Sequence, residues 1–72
     1  METEIIFAPS AFKHGISEAD IRWAIGTRIC DVPIDDYEDK YAIIGFDTKG
    51  NALEIIYNLF NDETIEVYHA MK

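Results

Sequence analysis

The sequence predicts an α+β domain in which two N-terminal helices pack on a four- to five-stranded antiparallel sheet. Three observations carry this expectation. Residues 41–72 read as three strands joined by two tight turns. In the middle run Leu53, Ile55, Tyr57 and Leu59 alternate onto one face, and in the last run Ile65, Val67, His69 and Met71 do the same. The first half of the chain holds the clearest 3.6-residue stripe, Ile21, Ala24 and Ile25, and is the natural cover for that face. A sheet with one apolar face needs such a cover at this size.

The elements follow in order. Glu4–Ala8 is a short β-type run stopped by Pro9. Ser10 to Gly15 can make one or two helical turns, with Ser10 as N-cap and Gly15 closing the turn at positive φ. Ile16–Thr27 is the second helix. Ser17 caps it, Asp20 stands where a capping box places its acid, and Ile16 with Ile21 forms a staple pair. Glu18 and Asp20 put negative charge in the first turn, where the helix dipole favours it. Gly26 ends the helix, and Trp23, off the apolar stripe, either covers the sheet edge, the preferred reading, or marks a partner surface. Arg28–Ile34 is the next strand, and Pro33 assigns it to an edge. Residues 35–40 form an acidic loop without the ligand spacing or glycine of an EF-hand. Tyr41–Phe46 and Leu53–Phe60 form a hairpin through 47–51, with Gly50 in the left-handed position. Residues 61–63 turn the chain into Ile65–Met71.

Composition bounds the function. All 72 residues make one domain, too small to bury much core, so a protein partner or a homodimer would add useful buried area. Fourteen acids against six bases give a net charge of −8, which disfavours a general nucleic-acid surface and favours solubility and basic partners. Cys30 stands alone, so no intramolecular disulfide forms; beside Asp31 it reads as a buried, inert thiol. No apolar run reaches membrane length and no signal-like segment opens the chain, so a cytoplasmic protein is expected. No Gly-rich phosphate loop, zinc spacing or Ser/His/Asp arrangement is visible, so no metal or cofactor is expected.

The residues able to carry chemistry are few. Lys13-His14-Gly15 lies between the two helices, and a histidine there either caps the turn or stands on the surface, the commoner case, or binds phosphate or shuttles a proton. His69 shares the phase of Ile65 and Val67, so it is either a satisfied core histidine or the lining of a cleft. Tyr57 shares the inward phase of the neighbouring strand and offers a hydroxyl. Arg28 and Lys72, at strand ends, can stabilise phosphate charge or pair with the many acids.

The order strand, Lys-His-Gly, Ile-Ser-Glu-x-Asp helix, strand, acidic loop, hairpin and a final strand ending His-Ala-Met resembles the BrnT-type toxins of bacterial toxin–antitoxin systems. These are small ribonucleases of RelE-like fold. The stretches that carry the resemblance are Phe12 to Glu18, Tyr41 to Asp47 with Gly50, Leu53 to Tyr57 and Ile65 to Met71. It implies a cytoplasmic enzyme that cleaves mRNA without metal, on RNA or on the ribosome, and is neutralised by a cognate antitoxin. By matching position it implies Lys13 and His14 as catalytic residues, and His69 sits near where the final strand of the family places polar residues and is expected to act with them; Arg28, Tyr57 and Lys72 are the residues of this chain expected to bind RNA. Members of the family are usually basic and carry an arginine-bearing segment after the last strand, whereas this chain is acidic and reaches Lys72 without one. A second class of function therefore stands beside the first: a non-catalytic module of the same fold that binds a basic partner.

Overall fold

A computed structural model describes residues 3–34 and 38–72. Five strands form one sheet: β1 (Glu4–Phe7), β2 (Cys30–Pro33), β3 (Lys40–Phe46), β4 (Ala52–Asn61) and β5 (Thr64–Met71). Their order is β1-β5-β4-β3-β2. A short 3-10 turn covers Pro9–Phe12, and the single α-helix among the described residues, α1, spans Glu18–Gly26.

Two features of the expected fold are corrected. The first predicted helix is only a 3-10 turn. Pro9 opens it, its N-cap is Ala8 without a side-chain cap, and Gly15 at φ 78° leaves no room to extend it. The sheet is mixed rather than antiparallel, because β1 pairs with β5 in parallel, Glu4 opposite Thr64 through Phe7 opposite Val67. Three antiparallel pairings run from β2 to β5 and fix alternating directions. The chain between β1 and β2 then crosses one face of the whole sheet, bringing the first strand beside the last. Such a crossover is what a parallel pair requires.

The local chemistry of α1 follows the sequence. Ser17 accepts the Asp20 N–H at 3.1 Å, and Arg22 pairs with Glu18 one turn away at 2.9 Å. Asp20 does not complete a capping box. Its carboxylate instead accepts the N–H and the hydroxyl of Thr48, at 3.0 and 2.7 Å, tying the helix start to the β3–β4 turn. At the other end the Thr27 hydroxyl lies 2.9 Å from the Trp23 carbonyl and 3.3 Å from the Phe46 amide. Trp23 is 54% exposed, so it does not cover the sheet edge as expected. The residues that face the sheet are Ile21 and Ala24, both fully buried, with Ile25 packed at the margin of the core.

The core lies between α1 and one sheet face, made by Ile43, Leu53, Ile55, Tyr57, Ile65, Val67 and Ala70. Gly45 lets the helix approach closely: a Cβ there would overlap the Ala24 carbonyl oxygen and lie 2.7 Å from its carbon. The β3–β4 turn is closed by Asp47, which accepts the N–H groups of Lys49 and Asn51 and the Asn51 amide, while Gly50 adopts φ 86° as its position requires. Pro33 does sit on an edge strand. Cys30 faces away from the helix and is partly exposed, not buried, because β2 has no neighbour beyond it. Of the acidic loop, residues 35–37 fall outside the described residues; Asp39 turns the chain at φ 63°.

The alternation of β5 breaks at a bulge. Ile56 faces His69, but the next residue, Tyr57, faces Val67, so Tyr68 is an extra residue without an opposite. Beyond it the phase inverts. Ala70 is fully buried, and His69 and Met71, expected inward, leave the core face. The bulge coincides with the end of the β1 ladder, which runs only to Phe7 opposite Val67. Ala8 donates to the Val67 carbonyl at 2.9 Å, but Pro9 has no N–H to continue the ladder. The Ser10 hydroxyl donates to the Tyr68 carbonyl at 2.7 Å and satisfies the group that the bulge turns outward.

Candidate functional site

The bulge brings the two histidines together. His14 sits in the turn after the 3-10 segment, held by Lys13 N–H to the Ser10 carbonyl at 3.2 Å and Gly15 N–H to the Phe12 carbonyl at 3.1 Å. That segment packs along β5, and its end reaches the outer sheet face where the inverted phase has placed His69. The two imidazole centroids are 5.5 Å apart, edge to face at 77°. Had β5 kept strict alternation, His69 would point at the helix side and the pair could not form.

Glu54 is the third member. It projects from β4 on the same outer face, diagonal to His69, and its Oε1 lies 3.2 Å from His69 Nε2. A carboxylate there is a partner for Nε2 and orients the ring. The His69 side chain is 24% exposed and Glu54 half exposed, so the group is open to a large substrate. Lys13, adjacent to His14, is exposed. Two imidazoles and one ammonium on an open surface can take a proton, give a proton and stabilise anionic oxygen.

The residues expected to position RNA lie elsewhere. Tyr57 is buried on the helix side, stacked on Tyr41 at 5.3 Å, and its hydroxyl donates to Asp31 Oδ1 at 2.8 Å. Burial first, then the hydrogen bond to Asp31 and the charge of Asp31, push the Tyr57 phenol far above its ordinary range, so it remains a donor. Arg28 Nε lies 3.5 Å from Asp31 Oδ2, and Arg28 Nη1 donates to the Ile25 carbonyl at 2.8 Å. Arg28 and Tyr57 thus converge on Asp31, on the opposite face from the histidines. Lys72 follows β5 at the end near Asp47 and joins neither group; its charge is a minor contributor to the Asp47 environment, behind the Asn51 and Lys49 hydrogen bonds.

Sequence reasoning missed Glu54 and Asp31. Each is one acid among fourteen, and neither has a marked spacing. Only the cross-strand register singles them out.

The class defined by this architecture is a small α+β domain with one helix on a five-stranded mixed sheet and a histidine pair on its open face. Comparison with protein-family models, with curated proteins and with solved structures gives no match. Among the described residues no helix is long and apolar enough to cross a membrane.

Proposed function

We propose that this protein is a metal-independent endoribonuclease of the toxin type, acting on mRNA and controlled by a cognate antitoxin. The observation that supports this reading is the approach of His14 and His69 to 5.5 Å between ring centroids, with Glu54 Oε1 3.2 Å from His69 Nε2. Cleavage beside a ribose needs two proton carriers. One imidazole takes the 2′-hydroxyl proton as that oxygen attacks phosphorus; the other donates a proton to the departing 5′-oxygen. The products are a 2′,3′-cyclic phosphate and a 5′-hydroxyl, with no metal in the balance. Lys13 is suited to the non-bridging oxygens, where negative charge grows.

The net charge of −8 shapes the substrate. Affinity for naked RNA comes mainly from neutralising phosphates, and this chain has little to offer there. Ribosome-bound mRNA, positioned by other contacts, is the substrate that suits an acidic enzyme.

The test incubates purified protein with single-stranded RNA and with ribosomes carrying mRNA. His14→Ala and His69→Ala are each expected to slow cleavage by about a hundredfold or more, the usual size of an acid–base contribution. Wild type should give a bell-shaped pH–rate profile, the mark of one acid and one base acting together. If wild type cuts neither substrate, enzymatic action is refuted and the module that binds a basic partner takes its place. If it cuts and both histidine variants keep full rate, the residue assignment fails.

A further inference from the structure

We propose that the cavity beyond the C-terminal end of α1 is a docking pocket for one arginine side chain presented by a basic segment of a partner protein. This inference does not depend on RNA cleavage. The cavity lies on the helix side of the sheet, whereas the histidine pair lies on the outer face near the other end of β5.

Its origin is a mismatch of lengths. Nine helical residues span about 13 Å. The ten residues of β4 span about 33 Å. The helix therefore leaves part of the inner face without cover, and a cavity of about 230 Å³ remains. Ile5, Ile25, Ile43, Leu59 and Ile65 form its apolar walls. Small-molecule sites usually measure about 300–1,000 Å³, so this volume suits a side chain better than a whole ligand.

The polar groups of the lining specify the side chain. Among the described residues the lining holds two acids, Asp31 and Asp62, and one cation, Arg28, which is already held by the Ile25 carbonyl and Asp31. The Tyr57 hydroxyl donates to Asp31 and adds no positive charge. The lining is net acidic within a chain of net charge −8, so a cation is favoured both locally and at long range. Apolar walls with an acidic end fit a long aliphatic stem carrying a charged head. A planar guanidinium suits it better than an ammonium, since it forks onto carboxylates.

The test is an NMR titration of the full ¹⁵N-labelled chain with acetyl-Leu-Arg-Leu-amide and with the same peptide carrying citrulline in place of arginine. Amide shifts should cluster at Ile25, Arg28, Asp31, Leu59, Asp62 and Ile65. The citrulline peptide should bind about tenfold more weakly or worse, a loss of about 1.4 kcal/mol. Asp62→Asn, in an exposed turn, should weaken the arginine peptide alone. Leu59→Trp, which fills the cavity with both acids intact, should abolish the clustered shifts and leave the far-UV circular dichroism spectrum unchanged. Shifts scattered over the acidic surface, equal binding of the citrulline peptide, undiminished binding to Leu59→Trp or no shifts at millimolar peptide would each overturn the proposal.

Discussion

Gly45→Ala tests the closest approach in the fold. The added methyl would overlap the Ala24 carbonyl oxygen and stand 2.7 Å from the carbonyl carbon and 3.0 Å from the Ala24 Cα. Ordinary contact begins near 3.4 Å, so relieving the overlap with the carbonyl oxygen takes a separation of α1 from β3 of more than an ångström. The obstructing atoms are backbone, so no rotamer change relieves them. A radial gap of about 0.5–1 Å forfeits a quarter to a half of each dispersion contact. The loss falls on Ile21 and Ala24, both fully buried, and on Ile43, Leu53 and Ile55 beneath them. Overpacking typically costs about 1–3 kcal/mol, and a backbone clash belongs at the upper end. A loss of about 3 kcal/mol lowers the melting temperature of a domain this size by roughly 12–24 °C. Urea unfolding followed by far-UV circular dichroism measures it directly. Gly26→Ala is the control, because a Cβ there meets nothing within 4 Å and the backbone is ordinary. It should stabilise by about 0.4–1 kcal/mol. Adding Ala24→Gly to Gly45→Ala should not restore stability, since the clash is with main chain. A Gly45→Ala protein within about 0.5 kcal/mol of wild type, or full rescue by Ala24→Gly, would refute the packing described for α1.

Other consequences are open to measurement. Tyr57→Phe removes the donor on Asp31 Oδ1 and should cost about 1 kcal/mol, below the usual range for a charged hydrogen bond because Asp31 keeps Arg28 and is partly solvated; an unchanged urea midpoint would show that water replaces the phenol. Ile21→Ala should cost about 2–5 kcal/mol, and Ile25→Ala distinctly less because that side chain borders a cavity; the reverse order would put the cavity elsewhere. Acid should destabilise the domain through Asp20 and Asp47. Asp20 is held below its ordinary value of 3.8 chiefly by the Thr48 hydroxyl and N–H, then by Ser17, and Asp47 chiefly by the Asn51 amide, then by the N–H groups of Asn51 and Lys49. A carboxyl that binds its proton more weakly when folded stabilises fully above the ordinary value and loses that contribution as pH falls through the lowered one. Melting temperature should therefore drop below about pH 4, and Asp47→Asn should flatten that drop; an acid limb unaltered in Asp20→Asn and Asp47→Asn would assign it to other groups.

Features legible in the sequence are those written in a short window. Ser17 before an apolar stripe, Gly50 in a five-residue turn and Pro33 near a strand end each carry their reason beside them. The alternation of β4 is equally local and places Leu53, Ile55 and Tyr57 in the core as read. The bulge at Tyr68 was not legible. The carbonyl it frees is satisfied by Ser10, 58 positions earlier, and no pattern within β5 announces that partner. The parallel pairing of β1 with β5 was hidden for the same reason. The predicted site divides along this line. His14 and His69 stand out by residue type, but their meeting depends on the bulge. Arg28 and Tyr57 do come together, though around Asp31 and inside the domain rather than on an RNA-facing surface.

The pairing of β1 with β5 also governs how the chain leaves the ribosome. Glu4 must wait for Thr64, and Phe7 for Val67. At about 5–20 residues per second, that wait lasts roughly 3–12 s. During it Ile5, Ile6 and Phe7 form an unpaired apolar strand, available to chaperones or to another nascent chain. Until β5 emerges, His14 has no His69 beside it. A product terminated before Thr64 would lack the partner of its first strand and one half of its histidine pair together.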